Sequence, residues 1–260
     1  MFPSHDQTGF GIDARGQATF QTGLESIHIK NNEIDADSSG GIYIVPLKTQ
    51  VMQISGNNIR HMDDTEYSIS YEAQINDTSY ARSLHVNSNI CEGYIKLKTA
   101  GTSPDSISKV SVFKNESNYI YLDFRNSGDT VYAQVEYNTT VGKRFRYLGS
   151  SEGKALIRNN FIDARDEDYL YEGGLHILNT DCTVMGNEVR NSKAEGIYAK
   201  DMSSAVVRFN EVSKPQNTSK KGIYLQNITS GYAQFNNVWT FTTGVDTSNA
   251  TMTLTNNTLD

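Results

Sequence analysis

An asparagine returns through almost the whole chain, each time in the same phrase. In Val206-Val207-Arg208-Phe209-Asn210-Glu211-Val212, apolar residues lead up to Asn210, another sits two places after it, and Gly222-Ile223-Tyr224-Leu225 follows ten residues later. The phrase recurs as Ile27-His28-Ile29-Lys30-Asn31-Asn32-Glu33-Ile34 with Gly41-Ile42-Tyr43-Ile44. It recurs again as Val184-Met185-Gly186-Asn187-Glu188-Val189 with Gly196-Ile197-Tyr198-Ala199. Clear copies centre on Asn32, Asn57, Asn160, Asn187, Asn210, Asn236 and Asn257, and weaker ones on Asn89, Asn115 and Asn138. The successive spacings are 25, 32, 26, 23, 22, 27, 23, 26 and 21 residues. A period in this range marks a repeat architecture, whose units bury their apolar faces only by stacking on one another.

Within a unit the apolar period is two. Ile27/Ile29, Ile42/Ile44, Ile223/Leu225 and Ile120/Leu122/Phe124 alternate with polar residues or tyrosine, which is strand periodicity. No long amphipathic run suggests a helical repeat. Short strands, three to a turn, point to a solenoid of parallel strands. Asparagine suits its place by tolerating left-handed backbone angles at tight turns, and asparagines stacked in register can hydrogen-bond as amide ladders do.

The phrase resembles the right-handed parallel β-helix repeat of the pectin-lyase-like superfamily, which includes pectate lyases, polygalacturonases, alginate epimerases and phage tailspikes. The resemblance implies an all-β fold: a single-stranded right-handed parallel β-helix of about ten coils over residues 24–260, with residues 1–23 as a lead-in segment and partial coil. It specifies fold far more than function, because this fold hosts many activities. In the superfamily's plan the Gly-Ile-Tyr strand forms the first sheet, the strand leading to the asparagine the second, and the strand after it the third. Sites are usually built on the loops from the third sheet back to the first, here Asp35–Gly40, Arg60–Glu66, Asp163–Gly173, Arg190–Glu195 and Ser213–Lys221.

The 260 residues allow one domain or one long solenoid with a sizeable core. A net charge of -7, a pI near 5.3 and a mean hydropathy of -0.52 argue against nucleic acid as the main partner. No apolar run has membrane length, and Met-Phe-Pro-Ser-His-Asp carries no signal-peptide pattern. Cys91 and Cys182 lie four copies, or about 19 Å, apart along the expected axis, too far for a disulfide; both are expected reduced and buried. Gly11-Ile12-Asp13-Ala14 reads as a degraded Gly-Ile strand. The last asparagine phrase stands at the chain's end without an evident capping helix, so a fragment of a longer protein, or a piece finished by another domain or by oligomerisation, is expected.

With apolar side chains inward, the first sheet turns a stripe outward: Tyr43, Tyr67 or Ser70, Tyr94, Lys96, Tyr121, Asp123, Arg125, Arg144, Arg146, His176, Tyr198, Lys200 and Tyr224. Strands stack about 4.8 Å apart, close to the length of a sugar unit. Tyrosine offers a flat apolar face with a hydroxyl, and Lys and Arg suit carboxylates or phosphates. Tyr43, Tyr94, Lys96, Tyr121, Tyr198, Lys200 and Tyr224 are therefore the substrate-binding candidates for an extended, anionic glycan. Ordinary sheet chemistry competes with this reading, since tyrosine is a good strand residue and stacks across strands.

Glycoside hydrolysis needs two carboxyls about 5 Å apart for retention, or about 6.5–9.5 Å for inversion. Two candidate sets offer paired carboxyls, Asp37 with Asp63, Asp64 and Glu66, and Asp163, Asp166, Glu167, Asp168 and Glu172; a third places the single carboxyl Asp123 with Arg146 and His176 one and two coils away. A lyase would instead use Arg146 or Lys200 with His176. The catalytic candidates are Asp123, Arg146, His176, Asp166 and Asp168, and exposed acids that are merely solvated are the competing explanation. No cofactor is expected; Asp37 with Asp63 and Asp64 is the one set with calcium-like oxygen ligands. Asn179-Thr180-Asp181 looks like the Asn-Thr-Asp element of polygalacturonases, but the Asp-Asp, Gly-His-Gly and Arg-Ile-Lys elements that accompany it are missing. The pectate-lyase Trp-Ile-Asp-His element is also absent.

The expectation is a polysaccharide-binding domain of a tailspike-like phage or prophage protein, with glycoside hydrolase or polysaccharide lyase activity left open. It would be homotrimeric, located on the virion or outside the cell, and directed at a bacterial surface polysaccharide, without nucleic-acid or membrane partners. The alternatives are a non-catalytic spacer or adhesin-like β-helix, and a secreted uronan lyase or epimerase.

Overall fold

The computed structural model describes residues 12–15, 24–35, 40–45, 49–60, 67–73, 81–99, 107–125, 131–165 and 173–260. These residues wind into a parallel β-helix, all-β among the described residues, with about eight turns against the approximate ten read from the repeat.

Three parallel sheets run along it. Sheet A contains Ile12–Arg15, Ile42–Val45, Tyr67–Ala73, Tyr94–Thr99, Tyr119–Asp123, Phe145–Leu148 and Leu175–Leu178. Sheet B contains Leu24–Lys30, Thr49–Ser55, Ala81–Asn87, Lys109–Phe113, Tyr132–Glu136, Lys154–Arg158, Asp181–Met185 and Met252–Thr255. Sheet C contains Glu33–Asp35, Asn58–Arg60, Ile90–Cys91, Glu116–Ser117, Thr139–Val141, Phe161–Asp163, Glu188–Arg190 and Thr258–Leu259. The long strands Ile197–Arg208, Glu211–Gln234 and Asn237–Ser248 pass from one sheet to the next around the corners. Each strand pairs with its counterpart one coil on. Ile12 pairs with Ile42, so the degraded Gly-Ile copy does join sheet A.

The period-two pattern fills the interior. Ile42, Ile69, Ile95, Ile120, Phe145, Leu175, Ile197 and Ile223 are register partners along sheet A, and all have no exposed surface. Val86, Val112, Val135, Ile157, Val184 and Val207 form the matching row of sheet B. Branched side chains suit such pleated, close-packed rows. Cys91 and Cys182 are buried free thiols. Burial pushes the Cys182 thiol up to about 12 and raises Cys91 as well, so neither is a thiolate at neutral pH.

The asparagines form one continuous ladder at the corner between sheets B and C. Asn57 donates to Asn89 Oδ1 through its backbone N–H (3.1 Å) and through Nδ2 (2.9 Å), and Nδ2 also donates to Ile29 O (3.1 Å). The same pattern links Asn32, Asn57, Asn89, Asn115, Asn138, Asn160, Asn187, Asn210, Asn236 and Asn257, including the three weaker copies. In the interior of the ladder, as at Asn115, the amide uses both its donors and both its lone pairs, as a buried amide must.

The left-handed backbone angle belongs to the preceding residue, correcting the expectation that the asparagine itself adopts it. Asn31, Gly56, Ser88, Lys114, Tyr137, Asn159, Gly186, Phe209, Phe235 and Asn256 all have φ between 53° and 65°. That turn aims the next side chain inward at its neighbours. Asparagine is kept at the ladder position for its hydrogen bonds, which is why the residue before it varies while the ladder residue does not.

The glycine that opens the Gly-Ile-Tyr strand has a steric cause. A Cβ on Gly196 would lie 2.0 Å from Val212 Cγ1, and one on Gly222 would lie 2.1 Å from Val238 Cγ1. Sheet C turns into sheet A there with no room for a side chain.

Candidate functional site

Partnered residues on parallel strands stack one coil apart, so the outward side chains of sheet A form rows. The central row is Tyr43, Ser70, Lys96, Tyr121, Arg146, His176, Tyr198, Tyr224 and Asp246. A second row, two residues along, carries Glu72, Lys98, Asp123, Leu148, Leu178, Lys200 and Gln226. A third holds Tyr67, Tyr94 and Tyr119. The expected stripe is therefore three rows. Ser70 takes the central place and Tyr67 does not. Tyr94 belongs beside Tyr67, and Asp123 aligns with Leu148 instead of Arg146.

The rings do not offer the flat faces expected of them. Tyr198 is sandwiched between His176 (centroids 5.1 Å apart, planes at 15°) and Tyr224 (5.4 Å, 7°). Lys221 Nζ lies 3.5 Å from the Tyr224 centroid and pairs with Asp246 at 2.5 Å. Arg146 Cζ lies 5.7 Å from the Tyr121 centroid. Tyr94 packs edge-on against Tyr67 and Tyr119, with Lys143 4.8 Å from its centroid. Rings stacked along the solenoid axis present edges and hydroxyls to solvent. The Tyr198 hydroxyl donates to Gln226 Oε1 at 2.5 Å.

At mid-length the sheet concentrates positive charge. Arg144 and His176 are only 6% and 2% exposed. Burial, followed by repulsion from Arg146, Arg144 and Lys200, lowers the His176 imidazole to about 3, so it is neutral at neutral pH. Lys96 and Lys98 approach Glu72 at 3.9 and 3.3 Å, and Lys200 approaches Asp201 at 3.6 Å.

Asp123 is held within its own coil. Arg125 donates to it through Nε (3.0 Å) and Nη2 (2.8 Å), and Tyr121 through its hydroxyl (2.9 Å). Burial alone would raise the carboxyl, but these hydrogen bonds outweigh it and keep Asp123 below the ordinary carboxylate range. Burial, then the bond to Asp123, pushes Tyr121 up to about 12. An ionised Asp123 and a neutral His176 are not proton donors at neutral pH.

The remaining acids divide by position. Asp163 is buried, pairs with Arg165 and accepts from Asn191 Nδ2 at 2.7 Å. Asp37, Asp63, Asp64, Glu66, Asp166, Glu167, Asp168 and Glu172 lie outside the described residues, and with them the calcium candidates and two catalytic candidates. Among the described residues no group of three or more His, Cys, Asp or Glu comes together to hold a metal ion, and no helix is long and apolar enough to cross a membrane. Asn179-Thr180-Asp181 has a local structural role. Asn179 takes a left-handed φ of 57°, and Asp181 Oδ1 accepts from the Ser204 N–H at 2.7 Å, shaping the corner from sheet A to sheet B.

Two depressions that sequence reasoning missed lie on other faces. One of about 570 Å³ on sheet B is lined by His85, Lys109, Tyr132, Lys154 and Leu156 among others. One of about 430 Å³ on sheet C includes Trp239. The lone tryptophan was the one signal available for the second. Comparison with protein-family models, with curated proteins and with solved structures returned no match.

Proposed function

We propose that this chain is a polysaccharide-binding parallel β-helix that holds an extended anionic glycan along sheet A, as part of a tailspike-like, homotrimeric phage or prophage protein directed at a bacterial surface polysaccharide. One observation carries the binding reading: a chain of net charge -7 gathers Arg144, Arg146 and Lys200 around His176 at the middle of one sheet. Lys96 lies two coils before Arg146 in the same row. Cations recurring on every second coil, about 10 Å apart, match acidic groups repeating along a polymer. The rows meet such a ligand through guanidinium, ammonium and hydroxyl groups, with ring edges between them. The tailspike part rests on the repeat's resemblance alone.

The closed ring stacks favour a second reading, a non-catalytic spacer in which tyrosines only brace the sheet. At neutral pH the ionised Asp123 and the neutral His176 can accept a proton but not donate one, so on any cleavage reading the general acid comes from another group.

The test is incubation of the intact protein with capsular, teichoic and uronate polymers, following binding, chain length, new reducing ends and absorbance near 235 nm. Salt-sensitive binding to anionic polymers that is weakened by Arg146→Gln is expected. Shortening with absorbance would mean a lyase, and shortening without it a hydrolase. Binding to none of the polymers would leave the spacer reading.

A further inference from the structure

On sheet C, Arg190, Ser213 and Trp239 are consecutive register partners in one outward row. Arg190 and Trp239 are thus two coil spacings, or about 10 Å, apart, with only a serine side chain between them. The result is the notch of about 430 Å³, within the range that takes small ligands. Both walls are anchored. The indole N–H donates to Asp260 Oδ2 at 3.1 Å. The Arg190 guanidinium pairs with Glu188 and lies 5.4 Å from the Phe161 centroid.

Trp239 differs from the tyrosines of sheet A. Among the described residues no other ring and no cation packs on the indole, whereas Tyr198 is covered on both faces. Polar groups flank the notch: Glu188 and Glu211 on one side, Asn191 and Lys214 on the other. Lys214 is nearly buried and lies 5.4 Å from the Phe241 centroid. An aromatic wall set among fixed donors and acceptors suits a ring that is apolar on its faces and hydroxylated around its rim. Glu188 and Glu211 offset Arg190 and Lys214 in the lining, and Asp260 on the indole adds a further acid, so the notch, unlike mid-sheet A, has no excess of positive charge to favour an anion.

We propose that the Arg190–Ser213–Trp239 notch is a separate binding site for one uncharged pyranose unit, a neutral hexose or N-acetylhexosamine. The indole forms its apolar wall, and Glu211, Asn191 and Lys214 meet the hydroxyls. The site stands independently of the polymer-binding reading of sheet A.

The chain has a single tryptophan, so tryptophan emission, excited at the red edge of the absorption band where the tyrosines do not absorb, reports this notch alone. The intact protein would be titrated with methyl glucoside, methyl galactoside, methyl N-acetylglucosaminide and methyl glucuronide. A saturable emission change with at least one neutral glycoside is expected. It should be weakened about tenfold or more by Ser213→Tyr, which fills the gap, and kept in Tyr198→Ala on sheet A. If Ser213→Tyr does not fold, calorimetric titration of Trp239→Leu replaces it, with loss of the binding heat expected. No saturable change with any neutral glycoside, or a change that survives in a folded Ser213→Tyr protein, overturns the site. Tighter binding of the glucuronide than of every neutral glycoside overturns the ligand class. Because Tyr198→Ala and the anionic polymers probe sheet A, failure there and failure here are read separately.

Discussion

The asparagine ladder makes a quantitative demand at its centre. Asn115 has no exposed surface. Its Oδ1 accepts from the Asn89 N–H (3.1 Å) and from Asn89 Nδ2 (2.9 Å), and its Nδ2 donates to Val86 O (2.7 Å) and Asn138 Oδ1 (3.0 Å). Asn115→Ala removes all four bonds and leaves buried donors and acceptors behind. At about 1 kcal/mol net for each bond, the loss is about 3–5 kcal/mol, or about 5–10 °C in Tm for a chain of this size. At Asn257 solvent reaches the amide and three side-chain bonds are made, so Asn257→Ala should cost about 1–2 kcal/mol. Urea and thermal unfolding, followed by circular dichroism and by tryptophan emission, would measure both. Two probes are needed because a solenoid can unfold in segments. Asn115→Asp sharpens the test. It keeps an acceptor toward Asn89 but turns another oxygen toward Val86 O and Asn138 Oδ1. Burial raises that carboxyl's folded pKa above its unfolded value, so the variant is most stable below the unfolded pKa and loses stability as pH rises through the folded one. Equal costs at Asn115 and Asn257, or an Asn115→Asp variant that gains stability on going from pH 4 to 7, would refute the claim that the ladder's hydrogen bonds set this corner.

Two further outcomes follow from steric fit and from charge. Gly222→Ala would place its Cβ 2.1 Å from Val238 Cγ1 and 3.0 Å from Gly244 O; it should destabilise by about 1–3 kcal/mol, and unchanged unfolding in urea would contradict the packing argument. His176 has its pKa lowered to about 3 by burial and then by Arg146, Arg144 and Lys200. The unfolded chain therefore takes up this proton first, and the stability His176 contributes is full above about pH 6.5 and lost as pH falls toward the folded value. Wild-type protein should lose more stability than His176→Gln between pH 6.5 and 4.5, and its imidazole NMR signal should not titrate in that window.

The fold was legible because a solenoid repeats its physics. Each coil must satisfy a buried amide at the same corner and fill the same core rows, so Asn32 through Asn257 and the Ile-x-Ile alternations announce themselves in one dimension. Even the coils around Asn89, Asn115 and Asn138 could be placed from that asparagine alone. The sequence also shows the charge balance, the isolation of the two cysteines and the outward face of the Gly-Ile-Tyr strand.

Tertiary structure decided what depends on register and on neighbours one coil away. Which residue bears the left-handed turn follows from how the ladder amide must be aimed, and Ser88, Lys114 and Phe209 at that turn give no compositional hint of it. Whether a tyrosine shows its face or its edge depends on the residue stacked above and below it. The pattern Gly-Ile-Tyr reads alike at Tyr198, closed between His176 and Tyr224, and at Tyr43, which has Ser70 as a neighbour. The separation of Asp123 from Arg146 into different rows is likewise a matter of register. So is the gap between Arg190 and Trp239: three residues dozens of positions apart in sequence become adjacent only when the chain has wound past the same angle three times. Repetition writes the coil into the sequence, and the contacts between coils exist only once it is wound.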